Sequence, residues 1–159
     1  MNNNESLADI IKRGGIYRDV AGASPVEVIT NFIGDLPVFP FVPVNTLLEA
    51  VLEREALMPT GIGKGIALPH PRNPIMPSEG GEQFVTFAYL KNPVDWKSLD
   101  GEMVDTLILI ISASAKQHLH ALSEINYLCR QENFLKMLRE RADLDDLLEY
   151  IKETEKQWK

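Results

Sequence analysis

The fold of this chain is decided by the run Val104-Asp105-Thr106-Leu107-Ile108-Leu109-Ile110-Ile111-Ser112. After Asp105 and Thr106 the run is continuously apolar, which is typical of a strand buried on both faces. The next segment, Ala115 to about Arg130, carries apolar side chains at helical spacing, namely Leu119, Leu122, Ile125 and Leu128. A buried strand followed at once by an amphipathic helix predicts a sheet that is covered by helices.

Strands and helices alternate along the rest of the sequence. Their patterns predict strands at residues 16–20, 66–68 and 84–90, and helices near residues 6–11, 25–33, 45–57, 133–141 and 143–151. Gly14-Gly15, Asn92-Pro93 and the prolines between Pro37 and Pro43 are predicted to end elements or form loops. We therefore expect an α/β fold, with a single domain over residues 1–159 and a mixed β-sheet flanked by helices. Its ordered core is expected at about residues 6–151, with flexible ends at residues 1–5 and 152–159.

The composition excludes several classes of function. The chain has 159 residues and a formal net charge of −7, which argues against sequence-independent binding of nucleic acid. Its longest apolar stretch, around Leu107 to Ile111, is far shorter than the roughly 18 residues that cross a bilayer. The N-terminal residues do not resemble a secretory signal, and the single cysteine, Cys129, is expected to be a small buried side chain. We expect a cytoplasmic protein with no membrane insertion and no internal disulfide.

Three histidines, His70, His118 and His120, are the main candidates for chemistry. His70 stands between two prolines at the end of a short apolar strand, where a side chain is held rigidly yet can stay accessible. A Pro-His-Pro segment is otherwise simply a turn. An imidazole titrates near ~6.5, so a neutral nitrogen is available at cell pH. His118 falls in the first turn of a predicted helix, which disfavours its charged form, and His120 points about 200° away around the helix axis.

Two further elements bear on anion binding. The segment Thr60-Gly61-Ile62-Gly63-Lys64-Gly65 could present backbone N–H groups as an anion nest, and the alternative is a bend that needs positive φ. It is not a Walker loop, because Lys64 is followed by glycine rather than serine or threonine. Arg54 is flanked by two glutamates, so it is either a surface ion-pair partner or a guanidinium that stabilises phosphoryl oxygens.

Together these pieces form a more specific pattern than any one of them. Arg54-Glu55, Thr60-Gly61-Ile62-Gly63 and Gly65-Ile66-Ala67-Leu68-Pro69-His70 resemble the signature of the IIA domains of the fructose, mannitol and nitrogen-regulatory branch of the bacterial phosphotransferase system (PTS). The segment from Gln117 to Ser123 is similar to that family's second histidine segment. The Gly-Ile-Gly-x-Gly-Ile-Ala form most resembles the nitrogen-regulatory members. The resemblance implies a mixed sheet flanked by helices, in agreement with the prediction from the residues.

The resemblance also implies roles for individual residues. His70 corresponds to the histidine phosphorylated on Nε2 (tele-phosphohistidine), and His118 and Arg54 correspond to the other catalytic residues. The residues expected to contact the phosphoryl group are Thr60, Gly61, Gly63 and Arg72. No metal and no cofactor is implied. Pro71 departs from the usual glycine and removes a backbone N–H beside the nucleophile, a loss that Arg72 would offset.

By the same resemblance the chain is a phosphotransferase in a phosphoenolpyruvate-dependent relay. The donor would be a histidine-phosphorylated carrier protein of the HPr or NPr type, and the recipients regulatory target proteins or a sugar permease component. Three alternatives remain open: the IIA component of fructose- or mannitol-type sugar uptake, a protein-interaction module that does not transfer, and a metal site made from the three histidines. The absence of a His-x-x-x-His pair disfavours the metal site.

Overall fold

The computed structural model describes residues 5–36, 43–74 and 83–158. The predicted proline-rich loop falls largely on residues 37–42, which lie outside the described residues, as do residues 1–4. Among the described residues the helices are α1 (Leu7–Gly14), α2 (Pro25–Asp35), α3 (Val44–Leu57), α4 (Ala115–Leu128), α5 (Glu132–Arg139) and α6 (Leu144–Trp158). The strands are β1 (Ile16–Val20), β2 (Gly61–Gly63), β3 (Ile66–Ala67), β4 (Phe84–Val94) and β5 (Val104–Ile111).

The strands form one five-stranded mixed sheet in the order β1-β4-β5-β3-β2. The pairs β1–β4 and β3–β5 are parallel, whereas β4–β5 and β2–β3 are antiparallel. The apolar run of β5 is therefore the middle strand. The predicted α/β class with a mixed sheet is confirmed.

The sheet is covered on both faces, which explains why β5 is apolar at successive positions. Ile108 and Ile110 belong to a core formed with α1, α4, α5 and α6. Leu107, Leu109 and Ile111 belong to a second core on the opposite face, formed with α2 and α3. Because side chains alternate between faces along a strand, each face of β5 needs its own apolar set. Within the described residues, no helix is both long and apolar enough to cross a membrane.

The glycine segment after α3 was expected to be either a bend that needs positive φ or an anion nest. The bend is observed, with positive φ at Gly63, Lys64 and Gly65, but the strand β2 (Gly61–Gly63) that leads into it, and that pairs with β3 through Gly61 and Ala67, was not predicted. The turn between them has φ values of 57° at Lys64 and 82° at Gly65, the left-handed pair typical of a tight hairpin. Asn92-Pro93 was expected to be a turn, but both residues lie within β4, where the register with β5 shifts between Tyr89 and Val94.

Residues 152–158, which were expected to form a flexible end, form the end of helix α6. Helix α6 continues to Trp158, and Thr154 and Glu155 are buried on its inner face. Glu155 accepts hydrogen bonds of 3.2 Å from the backbone N–H groups of Leu7 and Ala8, which begin α1. The charged C-terminal segment thus caps the N-terminus of α1, a helix at the other end of the chain.

Candidate functional site

His70 and His118 meet at one end of the sheet. Strand β3 runs parallel to β5, and the N–H of Ile110 donates to the carbonyl of Pro69 at 3.2 Å, so the chain stays on the sheet up to His70. After β5 the chain turns into α4, whose first turn carries His118 over the same end. The two imidazole centroids lie 4.7 Å apart, with the ring planes inclined by 44°. Residues far apart along the sequence therefore share one site.

The start of α4 is held firmly in place. The side-chain oxygen of Ser114 accepts from the N–H of Gln117 at 3.1 Å, and Gln117 Oε1 accepts from the N–H of Ala113 at 2.9 Å. This reciprocal capping fixes the helix direction one residue before His118. The position of His118 is therefore set by two factors. One is the capping of α4 by Ser114 and Gln117, and the other is the position of the preceding strand, β5.

The hydrogen bonding of His70 defines its reactive nitrogen. Its Nδ1 lies 2.7 Å from the carbonyl oxygen of Leu68. A carbonyl oxygen only accepts hydrogen bonds, so we assign the proton of the neutral ring to Nδ1. The lone pair is then on Nε2. This leaves Nε2 as the unprotonated nitrogen of a half-buried imidazole.

Both imidazoles are biased toward the neutral form. Burial is the largest cause that lowers the pKa of His70 below 6.5, and the positive charge of Arg54 lowers it further, while the hydrogen bond to Leu68 acts in the opposite direction. The pKa of His118 is also lowered, first by burial and then by the charges of His70 and Arg54. The direction expected for His118 from its place in a helix is therefore observed, but burial is its leading cause.

Arg54 is close enough to act on both rings. It lies in the last turn of α3, and its Nη1 donates to the carbonyl of Met58 at 2.7 Å, which anchors the guanidinium at the helix end. Its charge lowers the pKa of His70 and of His118 alike. The positive charge of Arg54 thus acts on the histidine pair, and its role in the chemistry stays a prediction.

Replacing Arg54 with glutamine is expected to raise the pKa of both His70 and His118. Removing the positive charge lowers the cost of protonating each ring, while the effect of burial remains. NMR titration of the two ring proton resonances measures the change. The charge-retaining control Arg54→Lys should leave both titrations near those of the wild type. Unchanged titrations in Arg54→Gln would contradict the proximity of the guanidinium.

Glu55, which sequence reasoning did not select, joins the end of α3 to the segments that carry Thr60 and Trp96. Its carboxylate accepts from the N–H of Thr60 at 2.7 Å, from the Thr60 hydroxyl at 2.6 Å and from Trp96 Nε1 at 3.1 Å. Both donors of Thr60 are therefore engaged by protein. The only sequence signal for Glu55 was its place beside Arg54 in the signature.

The glycines expected to contact phosphate have structural neighbours of their own. Gly63 has a φ of 90°, and a Cβ added there would lie 2.8 Å from Asp100 Oδ2. A Cβ at Gly61 would overlap the Ser98 hydroxyl. These contacts favour the alternative in which the segment is a tight turn of the framework. Phosphate binding by Thr60, Gly61 and Gly63 stays a prediction.

A pocket of about 230 Å³ opens beside His118. Its walls are mostly apolar, and they are formed by Pro71, Arg72, Asn73, Pro74, Ile110, Ser112, Ala115, His118 and Leu119. Pro71 is buried, whereas Arg72 is exposed at the rim. The exposed Arg72 therefore lines the same pocket as His118.

The remaining candidates lie outside the site. His120 is exposed, and its Nε2 lies 2.6 Å from Glu124 Oε1 on the outer face of α4. Cys129 is buried, and burial raises the pKa of its thiol to about 12, which leaves it protonated. Among the described residues no group of three His, Cys, Asp or Glu side chains is arranged to hold a metal ion.

Comparison with known proteins identifies the family to which this chain is similar. The family model described as "Phosphoenolpyruvate-dependent sugar phosphotransferase system, EIIA 2" matches residues 9–154. A nitrogen regulatory protein of Pseudomonas aeruginosa is 30% identical over 151 residues, covering 91% of this chain and 94% of the relative. One from Bradyrhizobium diazoefficiens is 35% identical over 101 residues, which are 62% of this chain and 63% of the relative, less than two thirds of its length.

A solved structure has the same fold. The nitrogen regulatory protein IIA-Ntr from Neisseria meningitidis superposes with a TM-score of 0.77 at 20% identity, covering 91% of this chain and 98% of that one. The family match extends over nearly the whole described chain, and it includes the segments that carry both site histidines. This chain belongs to the EIIA type 2 family of the phosphoenolpyruvate-dependent phosphotransferase system.

Proposed function

We propose that this chain is a cytoplasmic phosphoryl carrier in which Nε2 of His70 accepts a phosphoryl group from a histidine-phosphorylated carrier protein of the HPr or NPr type. The observation that carries the proposal is the 2.7 Å contact between His70 Nδ1 and the Leu68 carbonyl, beside the ring of His118. It leaves one nitrogen of a largely neutral, oriented imidazole as the nucleophile.

The proposed step needs no separate base. The lone pair of Nε2 forms a bond to phosphorus as the phosphorus–nitrogen bond to the donor histidine breaks, and the donor imidazole leaves with the bonding electrons. His70 keeps its proton on Nδ1, and that N–H donates a hydrogen bond to the Leu68 carbonyl oxygen. Catalysis then depends mainly on alignment and on charge stabilisation.

Arg54 and His118 supply that stabilisation in the proposal. The phosphoryl oxygens carry negative charge throughout transfer, and a guanidinium next to both rings is suited to neutralise it. His118, held neutral by burial, can donate one hydrogen bond to an oxygen. In the proposal, Arg72 at the pocket rim is a further contact for the phosphoryl group. The contacts that Thr60, Gly61 and Gly63 make with other residues favour a structural role for these three residues.

The nitrogen-regulatory role is preferred over sugar uptake because the two relatives described above are nitrogen regulatory proteins. In this role the phosphorylation state of His70 determines which target proteins are bound. A sugar-uptake role would instead require that the phosphoryl group moves on to a permease component. Incubating the phosphorylated protein with a fructose-type IIB component distinguishes the two roles, because rapid loss of the label supports uptake.

The transfer itself is tested by incubating the protein with labelled phosphoenolpyruvate, the first enzyme of the system and its carrier. We expect one acid-labile phosphoryl group per chain, and none when the carrier is omitted. A stable fold without any label would favour a non-transferring interaction module. The specific observation behind that second candidate is Pro71, which is buried beside His70 and has no N–H to offer a phosphoryl oxygen.

A further inference from the structure

Glu55 lies at the centre of a hydrogen-bond cluster next to the site. The cluster consists of Glu55 at the end of α3, Thr60 before β2 and Trp96 after β4. Three donors, two from Thr60 and the indole N–H of Trp96, point at the two carboxylate oxygens at distances of 2.6 to 3.1 Å. Trp96 is completely buried and Thr60 nearly so, so close packing around these two side chains restricts their movement. A carboxylate that accepts several hydrogen bonds at once is a strong local anchor.

The cluster is connected to His70 through backbone groups. The carbonyl of Thr60 accepts from the N–H of Leu68 at 3.0 Å, and the carbonyl of Leu68 in turn accepts from His70 Nδ1 at 2.7 Å. Between these residues the carbonyl of Pro69 is held by Ile110. The orientation of the Leu68 carbonyl, which selects the protonated nitrogen of His70, therefore depends on where Glu55 holds Thr60.

The same side chain also restrains Arg54. The two residues are neighbours in the last turn of α3, and Glu55 ties that turn to the strand pair that leads to His70. One carboxylate thus sets the imidazole and the guanidinium relative to each other.

We infer that Glu55 is a positioning residue that fixes the Nδ1–H tautomer and the orientation of His70, and thereby directs phosphorylation to Nε2. The part of this inference that concerns phosphorylation rests on the proposed function. The part that concerns the tautomer does not. The alternative is that Glu55 only stabilises the fold, in which case its loss would lower stability without changing the ring.

The experiment compares Glu55→Gln with the control Glu53→Gln. Glu53 is exposed on the same helix, so both variants remove one negative charge from α3. Nitrogen-15 NMR of the unphosphorylated ring reports the tautomer of His70. Potassium phosphoramidate, a small chemical donor to histidine, and the protein relay are used as separate phosphoryl sources. Phosphorus-31 NMR then distinguishes Nε2- from Nδ1-phosphohistidine, and thermal melting reports stability.

Wild type and Glu53→Gln are expected to show the Nδ1–H tautomer and only Nε2-phosphohistidine. Glu55→Gln should show a mixture of tautomers, both phosphohistidine isomers and about 10²-fold slower uptake, the scale expected for a small misplacement of reacting groups. A folded Glu55→Gln protein with the wild-type tautomer would overturn the inference.

A second variant keeps the test decisive where Glu55→Gln does not fold. Thr60→Val removes the hydroxyl donor but retains the shape and the N–H, and it should shift the tautomer in the same direction by a smaller amount. A wild-type tautomer in folded Thr60→Val would count against the inference. Absence of label in wild type from both phosphoryl sources would refute the proposed function, while the tautomer measurement would still judge the role of Glu55.

Discussion

Replacing His70 with alanine is expected to abolish uptake of the phosphoryl group while leaving the fold intact. The ring contributes the attacking nitrogen, and no other described imidazole has both its Nδ1 held by a backbone carbonyl and a second histidine beside it. Loss of a nucleophile typically lowers the rate by at least about 10³-fold. Acid-labile label per chain after incubation with the relay measures the effect.

Two histidine controls make this result specific. His120→Ala removes an exposed ring that pairs with Glu124 on the outer face of α4, so uptake should equal that of wild type. His118→Ala should retain Nε2 attack but slow it, because a neighbouring donor is lost. Label that persists in His70→Ala at the wild-type level would show that another residue is phosphorylated. Circular dichroism spectra should be superimposable across the set, since His70 is only half-buried.

Replacing Gly14 with alanine is expected to lower the free energy of unfolding by about 3 kcal/mol or more. Gly14 ends α1 directly against strand β4, and a methyl group there would overlap the carbonyl oxygen of Val85 and lie 2.5 Å from its carbon. It would also lie 2.7 Å from Thr86 Oγ1. The obstacle is largely backbone of a buried central strand, which cannot rotate away, so the cost falls at the upper end of the range for overpacking.

Gly34→Ala is the matched control for the same chemical change. Gly34 is exposed in α2 and has nothing within 4 Å of an added Cβ. Alanine there should stabilise the protein by about 0.5–1 kcal/mol, because it reduces the freedom of the unfolded chain and favours the helix. Urea unfolding monitored by circular dichroism measures both variants. Equal effects of the two substitutions would contradict the close approach of α1 to β4.

The success and the failures of the fold prediction have a common physical origin. The continuous apolar run of β5 and the helical pattern over residues 25–33 are local patterns, and both elements form where these patterns predict. The helix is also capped locally, by Ser24 with Pro25 in the first turn. Strand β2 was missed because three residues, two of them glycines, carry almost no periodicity of their own. It exists because its partner β3 offers backbone hydrogen bonds, and such pairing depends on residues outside the segment.

The residue types and the signature named candidate residues for the site, but not the contacts that connect them. His70, His118 and Arg54 stand out by residue type and by their signature, and the structure brings their rings and charge together. The role of Glu55 was not predictable, because it depends on hydrogen bonds to Thr60 and to Trp96, the latter 41 positions away. The sequence around a glutamate in a polar helical turn is the same whether its carboxylate is solvated or is hydrogen-bonded by distant residues.

Neighbouring residues set the periodicity of the strands and helices and the serine caps that begin α2 and α4, and residue type marked His70 as a candidate for chemistry. Which distant groups meet depends on the three-dimensional packing. It placed His118 at 4.7 Å from His70, and it brought Glu155 onto the first N–H groups of α1 from 148 positions away. The reason is physical: periodicity and capping are set by neighbours within a few residues, whereas these contacts follow from strand order and from the packing of helices on both faces of one sheet.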